Sequence, residues 1–340
     1  MRPEYSEAEA VSLVASLYGI EGGAKSLPSY SDQNFLIDAP DARFVLKIAN
    51  ADEPAEVLDF QQKALLHVKS QAPELTLPFT IPTTKGAMLT PVPAKTDDAV
   101  HLLWMVSFLP GQFISDLSVH STQLLEDVGR FMGTLDRALQ SFEHEAMHRD
   151  MQWDLKNAAR LATMLEHIKD LDKKSLVEHF LERLEKHITL HAANLRMSVI
   201  HNDANDNNVL ITGKKNQHTV GGIIDFGDML HSHTVNEVAI AIAYLILGKE
   251  NILDTAAAVL RGYHRMYPLN HSEISVLFDL ICLRLCTSVC MSAQERSLAP
   301  DNAYLAISEQ PAWTALSKLI KIDPNEATAF LKSTVSLHTP

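Results

Sequence analysis

Disulfide pairs, basic runs, glycine-rich loops and aromatic clusters are all scarce in this 340-residue chain, and each scarcity removes a class of function. The three cysteines, Cys282, Cys286 and Cys290, fall four apart on one apolar helical stripe. That spacing suits small buried hydrophobes, and no neighbouring histidine completes a tetrahedral zinc set, so neither a disulfide framework nor a structural metal is expected. Lys and Arg total 29 against 42 Asp and Glu, a net charge of −13, and no basic run is interleaved with aromatics. Such a surface repels phosphate backbones and anionic membranes, so nucleic acid is not an expected partner. The stretch Met1-Arg2-Pro3-Glu4-Tyr5-Ser6-Glu7 lacks the apolar run of a secretory signal, and no window reads as the roughly twenty apolar residues of a bilayer span. We expect a cytoplasmic protein with no membrane partner; nothing in the pattern speaks to its oligomeric state. Neither glycine (13) nor proline (15) is in excess, and no repeat or low-complexity segment occurs. The composition is that of a globular protein long enough to form two lobes.

Coarse periodicity orders those lobes. Val11, Val14, Leu17 and Tyr18 share one helical face, with Gly19 as a stop. Phe35-Leu36-Ile37 and Phe44-Val45-Leu46-Lys47-Ile48 flank the turn residues Asp38-Ala39-Pro40-Asp41, a hairpin signal. Asp52-Glu53-Pro54 then opens a helix running to about Ser70, with Asp52 as its cap. Beyond the turn at Pro110-Gly111 helical spacing dominates, over 121–146, 151–165, 170–194, 234–248, 251–266, 271–296 and 325–335. Two short strands interrupt it, Val209–Ile211 and Gly222–Ile224. The expected organisation is α+β: a small mixed antiparallel-sheet lobe over 1–106 and a larger, mostly helical lobe over 107–340.

One segment departs from ordinary patterning. Val199-Ile200-His201-Asn202-Asp203-Ala204-Asn205-Asp206-Asn207-Asn208-Val209-Leu210 places a dense polar run between apolar ends, and Ile224-Asp225-Phe226-Gly227-Asp228 follows after a hairpin. Magnesium takes carboxylate and carbonyl oxygens and keeps several waters, so Asn208 and Asp225 suit it beside a nucleotide's phosphates. Asp203 is then available to an attacking hydroxyl. The spacing His-x-Asp with Asn five residues later, His201, Asp203 and Asn208, together with Asp225-Phe226-Gly227, resembles the aminoglycoside phosphotransferase and choline kinase family, relatives of protein kinases.

The resemblance implies a bilobal protein-kinase-like fold and transfer of a nucleoside triphosphate's γ-phosphate to a small-molecule alcohol. It implies Lys47 as the strand lysine that neutralises phosphates, paired with Asp59 or Glu56 on the next helix, Asp59 being favoured by its spacing to Leu65-Leu66. The phosphate-covering loop falls at Pro28-Ser29-Tyr30-Ser31-Asp32-Gln33-Asn34, where Ser31, Asp32 and Asn34 replace the usual glycines. The purine is expected at Met105–Phe108, against Met105 and Ser107. His201 braces the loop, Asn202 stands where most of the family has glycine, and Glu237 matches a structural acid. Within the family, residues 28–35 and Trp153-Asp154-Leu155 look most like the hydroxylysine kinase branch, which implies an amino-acid-like alcohol and GTP rather than ATP, although the residues themselves do not choose between the two purines. Trp153, Asp154, Asp228 and Arg284 are the residues expected at the acceptor, an Asp suiting an ammonium and an Arg a carboxylate.

Two other readings compete. A kinase-like binding protein without turnover would keep the same loop. His144-Glu145-Ala146-Met147-His148 is a literal zinc-protease signature, but Arg149 and Asp150 follow at once and no third ligand is evident, so it reads as a solvated helix end.

Overall fold

The computed structural model describes residues 1–29, 31–95, 98–214, 217–298 and 309–336; Tyr30, in the expected phosphate loop, lies outside them. The chain divides into two units: Met1–Pro110 with His144–Ala146 and Gly222–Gly227, and Gly111–Glu143 with Met147–Gly221 and Asp228 onward. A single cut at 106/107 does not anticipate the two short later segments that join the first unit.

In the first unit, α1 (Glu7–Tyr18) begins at a capping box in which Ser6 Oγ accepts the Glu9 N–H at 3.3 Å and Glu9 returns a carboxylate to the Ser6 N–H at 2.7 Å. It ends where Gly19 turns to φ 65°. There follow β1 (Gly23–Leu27), β2 (Gln33–Asp38), β3 (Arg43–Ile48), α2 (Ala55–Gln71), β4 (Thr80–Ile81), β5 (Thr90–Pro93) and β6 (Val100–Ser107). The antiparallel sheet runs β1-β2-β3-β6, with β4 and β5 both pairing to β6. Alternation sends Phe35, Ile37, Leu46, Ile48, Leu103 and Met105 into one core with Ala10, Val14 and Tyr18 of α1. On the opposite face Lys47 stands between its cross-strand neighbours Asn34 and Trp104. The hairpin over 35–48 is as expected, whereas β1, β4 and β5 are too short or too mixed in character to have signalled themselves. The expected cap on α2 is not made: Pro54 occupies that position without a side-chain bond, and Asp52, two residues too early to reach the first turn, pairs with the Met1 amino group.

The second unit contains β7 (Gln112–Phe113), α3 (Thr122–Leu139), α4 (Leu161–Met164), α5 (Leu171–His191), β8 (Met197–Ile200), β9 (Val209–Thr212), β10 (Thr219–Ile223, whose last residues fall in the first unit), β11 (Leu230–His233), α6 (Val235–Leu245), α7 (Ile252–Met266), α8 (His271–Leu298), α9 (Glu309–Leu319) and α10 (Pro324–Ser336). β8 pairs antiparallel with β11, and β9 lies between β7 and β10. The helix expected over 151–165 is broken, because Asp154 caps a 3₁₀ turn at Leu155–Arg160 that kinks at Asn157 (φ −91°, ψ 17°) before α4. α3 stops at Leu139, short of the expected 146.

α8 corrects the membrane reading of the sequence: it is long and apolar enough to cross a bilayer, yet that whole window is buried inside the unit. It is a core helix. α3 and α7 cross closely at glycines: a Cβ on Gly262 would lie 1.9 Å from the Glu126 carbonyl oxygen, and one on Gly129 would lie 1.9 Å from that of Val259. Relieving either clash would force the helices apart. We expect Gly262→Ala to lower the unfolding free energy in urea by about 3 kcal/mol. Gly23→Ala, where an added Cβ meets nothing within 4 Å, should stay within about 0.5 kcal/mol; equal effects would contradict the close crossing.

Candidate active site

β8 delivers the chain into the polar loop, and the loop's shape is set from below. Asn202 is fully buried in the left-handed region, φ 65°, which Asn tolerates better than most side chains. Its N–H donates at 3.1 Å to Glu237 on α6, a carboxyl buried to 0% exposure. Burial pushes Glu237 up to about 7 against the pull of backbone donors from Asn202 and His201 and the charge of Arg284. Asp136 on α3, also fully buried and bonded by the Tyr263 hydroxyl, is driven up by burial and then by Glu237. His201, 0% exposed, accepts the Asp203 N–H at Nδ1, 3.3 Å away.

Asp203 therefore enters the site on a fixed backbone, and its carboxylate is gripped as well. Asn208 Nδ2 donates to Asp203 Oδ2 at 2.7 Å and to the Asp203 carbonyl at 2.9 Å, and Asn205 Nδ2 donates to Oδ2 at 2.9 Å. Arg284 Nη2 reaches Oδ1 at 2.9 Å from α8. Arg284 is the largest fully buried side chain among the described residues. Its Nη1 donates to the Trp153 carbonyl at 3.2 Å and its Nε to the Tyr244 hydroxyl at 3.3 Å, with the two rings 4.7 and 5.4 Å from the guanidinium carbon. Burial works against that charge, but Tyr244, Asp203 and Asp228 outweigh it and hold the arginine above its ordinary value.

Two acceptor assignments change in consequence. Arg284 is engaged by Asp203, the Trp153 carbonyl and the Tyr244 hydroxyl. Asp154, buried, accepts from Ser232 Oγ at 2.6 Å and from the Lys156 N–H at 3.1 Å, so it fixes the turn at residues 155–160. Trp153 packs on Arg284, and Asp228, half-buried, contributes through its charge. Asn205 and Tyr244 were missed in the sequence: Asn205 stood in the quoted loop as one polar residue among many, and nothing in the helical pattern set Tyr244 apart.

In the first unit Lys47 Nζ lies 3.6 Å from Asp225 Oδ1 and 5.2 Å from the Trp104 ring centre. Asp225 takes φ 61°, and with Asn202 it makes up the non-glycine residues of positive φ among those described. The expected partner on α2 is occupied elsewhere: Asp59 bonds Lys63 at 2.6 Å and His144 at 3.0 Å, while Glu56 is exposed. Burial raises the Asp59 carboxyl, but Lys63 and His144 overcome that and hold it below its ordinary value. Asp32 accepts the Asn50 N–H at 3.0 Å and Ser31 Oγ bonds Asp32 at 3.4 Å, so both serve the hairpin's end. Asn34 lies inside β2 beside Lys47, its Oδ1 buried with no partner among the described residues. At the expected purine segment Met105 is fully buried within β6, the Ser107 N–H and hydroxyl are both spent on Phe79, and the Phe108 N–H goes to Arg43. The Ser107 and Phe108 backbone N–H groups are thus committed to the sheet edge, and the Ser107 hydroxyl oxygen accepts the Phe79 N–H.

The zinc-protease signature does not form. Glu145–Met147 is a 3₁₀ turn, His144 bonds Asp59, and His148 packs edge-on against His231 at 4.8 Å. No cluster of metal-ligating side chains occurs among the described residues. The solvated helix end expected there is a correction too, since His144 is tied to Asp59.

In the second unit the Asn208 amide hydrogens are spent on Asp203, which leaves its Oδ1 as the oxygen able to accept. In the first unit the Asp225 side chain is 57% exposed. The profile of the phosphotransferase enzyme family (APH) matches residues 23–269. The chain belongs to that family. A hydroxylysine kinase of Mus musculus is 30% identical over 94% of this chain and 90% of its own length. Among solved structures, a microcompartment-associated aminopropanol kinase superposes with TM-score 0.72 at 14% identity, over 96% of this chain and 98% of that one. The amicoumacin kinase hAmiN, in complex with AMP-PNP, Ca2+ and Ami, superposes with TM-score 0.70 at 15% identity, over 95% and 97%. This phosphotransferase thus has the expected protein-kinase-like fold, and it is an enzyme that transfers phosphate to the hydroxyl of a small molecule.

Glu237 gives the loop a pH signature. Its proton is held to about pH 7 in the folded state but released near 4.5 in the unfolded chain, so the unfolded state binds fewer protons in that window and stability falls as pH rises through it. We expect the difference in unfolding free energy between wild type and Glu237→Gln, measured by urea titration, to slope across that window and flatten below it. A difference independent of pH would contradict the buried neutral acid.

Proposed function

We propose that this phosphotransferase moves the γ-phosphate of GTP or ATP, with magnesium, to the hydroxyl of a hydroxylated amino acid or small amino alcohol. The observation that carries the reading is Asp203, a carboxylate whose two oxygens are held by Arg284, Asn205 and Asn208 in the second unit. The acceptor class draws on the hydroxylysine kinase and aminopropanol kinase likenesses. Lysine-like ammonium groups would suit Asp228 and the Trp153 ring.

In the proposed reaction the acceptor oxygen attacks the γ-phosphorus in line; that O–P bond forms, the bond to the β-bridging oxygen breaks, and the nucleoside diphosphate leaves. Asp203 orients the hydroxyl and takes its proton. Phosphoryl transfer through a loose transition state asks little of a base beyond placement, and three donors fix the placement of this carboxylate. Lys47 neutralises phosphate charge from the first unit. Metal ligands are assigned residue by residue: the amide oxygen of Asn208 and the carboxylate of Asp225. A cation held there would supply charge screening for the phosphates.

A panel of 5-hydroxylysine, other hydroxylated amino acids, amino alcohols and aminoglycosides, each with GTP and ATP, tests the acceptor. The highest kcat/KM should fall on an amino-acid-like or amino alcohol; preference for an aminoglycoside would overturn it. Asp203→Asn should lower kcat by about 1,000-fold with nucleotide affinity nearly unchanged, and retained turnover would remove Asp203 from its role. Asp225→Asn should raise the magnesium concentration needed for half-maximal rate, and an unaltered requirement would reassign the metal ligand.

A further inference from the structure

We infer that Arg284 is a positioning residue for phosphoryl transfer, fixing the Asp203 carboxylate from the core instead of reading a carboxylate on the acceptor. The inference rests on the reading of Asp203 as the group that receives the hydroxyl's proton. Arg284 is 1% exposed, and its donors are directed at Asp203, the Trp153 carbonyl and the Tyr244 hydroxyl, so it presents almost no surface to a ligand. Its flat guanidinium is stacked by Trp153 and Tyr244, which restricts it to one orientation. That orientation reaches Asp203 Oδ1, while Asn205 and Asn208 hold Oδ2. A carboxylate restrained at one oxygen can still swing about its last torsion; restraint at both oxygens fixes the plane in which it accepts a proton.

The device also couples catalysis to the core. Asn205 and Asn208 belong to the loop and move with it, whereas Arg284 comes from α8, whose central residues are buried. An arginine in the core without its acid would be a buried unpaired charge, so the pair holds α8 and the loop in one relation. Besides Asp203, the charged and titratable groups that bear on Arg284 are Tyr244, Asp228 and Glu237, and Asp206 acts on Tyr244 in turn.

The full-length Arg284→Lys and Arg284→Met variants test this with GTP, magnesium and two acceptors, 5-hydroxylysine and 1-amino-2-propanol, the second lacking a carboxylate. A positioning role lowers kcat about 100-fold for both acceptors in the Met variant, leaves each KM within about threefold, and gives partial recovery with Lys, which keeps charge but loses the fork. A carboxylate-reading role raises KM for 5-hydroxylysine alone and overturns the inference. Should the Met variant fail to fold, Tyr244→Phe, which removes the acceptor of Nε, must lower kcat for both acceptors with each KM within about threefold, or the inference falls. If Asp203→Asn abolishes turnover while Arg284→Lys and Arg284→Met leave kcat untouched, only this inference fails; if Asp203→Asn keeps its turnover, the reading beneath it fails.

Discussion

A charged guanidinium sealed inside an apolar helix bundle is costly unless its partners are permanent, and the second unit is arranged around meeting that condition for Arg284. Its acid is Asp203, its stacking partners are Trp153 and Tyr244, and its helix is the buried α8. Leaving either charge without the other would cost several kcal/mol, so the Asp203 carboxylate is held where the arginine requires it. Position, more than basicity, is what phosphoryl transfer asks of a carboxylate in the role proposed for Asp203.

The backbone beneath is constrained as tightly. Asn202 and Asp225, the described non-glycine residues with positive φ, each sit in one of the two signature segments. Such conformations persist only where their surroundings over-determine them. For Asn202 the surroundings are Glu237, which accepts its N–H, and the burial that keeps Glu237 protonated up to about neutrality. A glycine would adopt this turn at no steric cost, and in its place the chain uses an asparagine anchored from below.

The signature segments, the hairpin bearing Lys47 and the succession of a mixed lobe by helices were legible in the sequence because each has its own local chemistry: polar residues where apolar ones belong, alternation of period two, and helical spacing. Partnerships were not legible. Lys47 meets Asp225, not an acid on α2, because His144, some eighty-five residues further on, joins Lys63 in taking Asp59. Arg284 looked like a ligand for an acceptor because an arginine suits a carboxylate; the carboxylate it bonds is that of Asp203, 81 residues away in the loop. Asp154 looked available until Ser232 was placed against it. The apolar run of α8 illustrates the same limit, since a core helix and a membrane span differ in what surrounds them and not in their own residues.

The central claim is direct, in-line transfer to a hydroxyl oriented by Asp203, with no phosphorylated enzyme between. The stereochemical course at phosphorus addresses it without intermediary: GTP made chiral at the γ-position with oxygen isotopes and sulfur, turned over with the best alcohol acceptor, should give a product of inverted configuration. Retention would require two successive displacements through a phosphoenzyme, and would contradict the account.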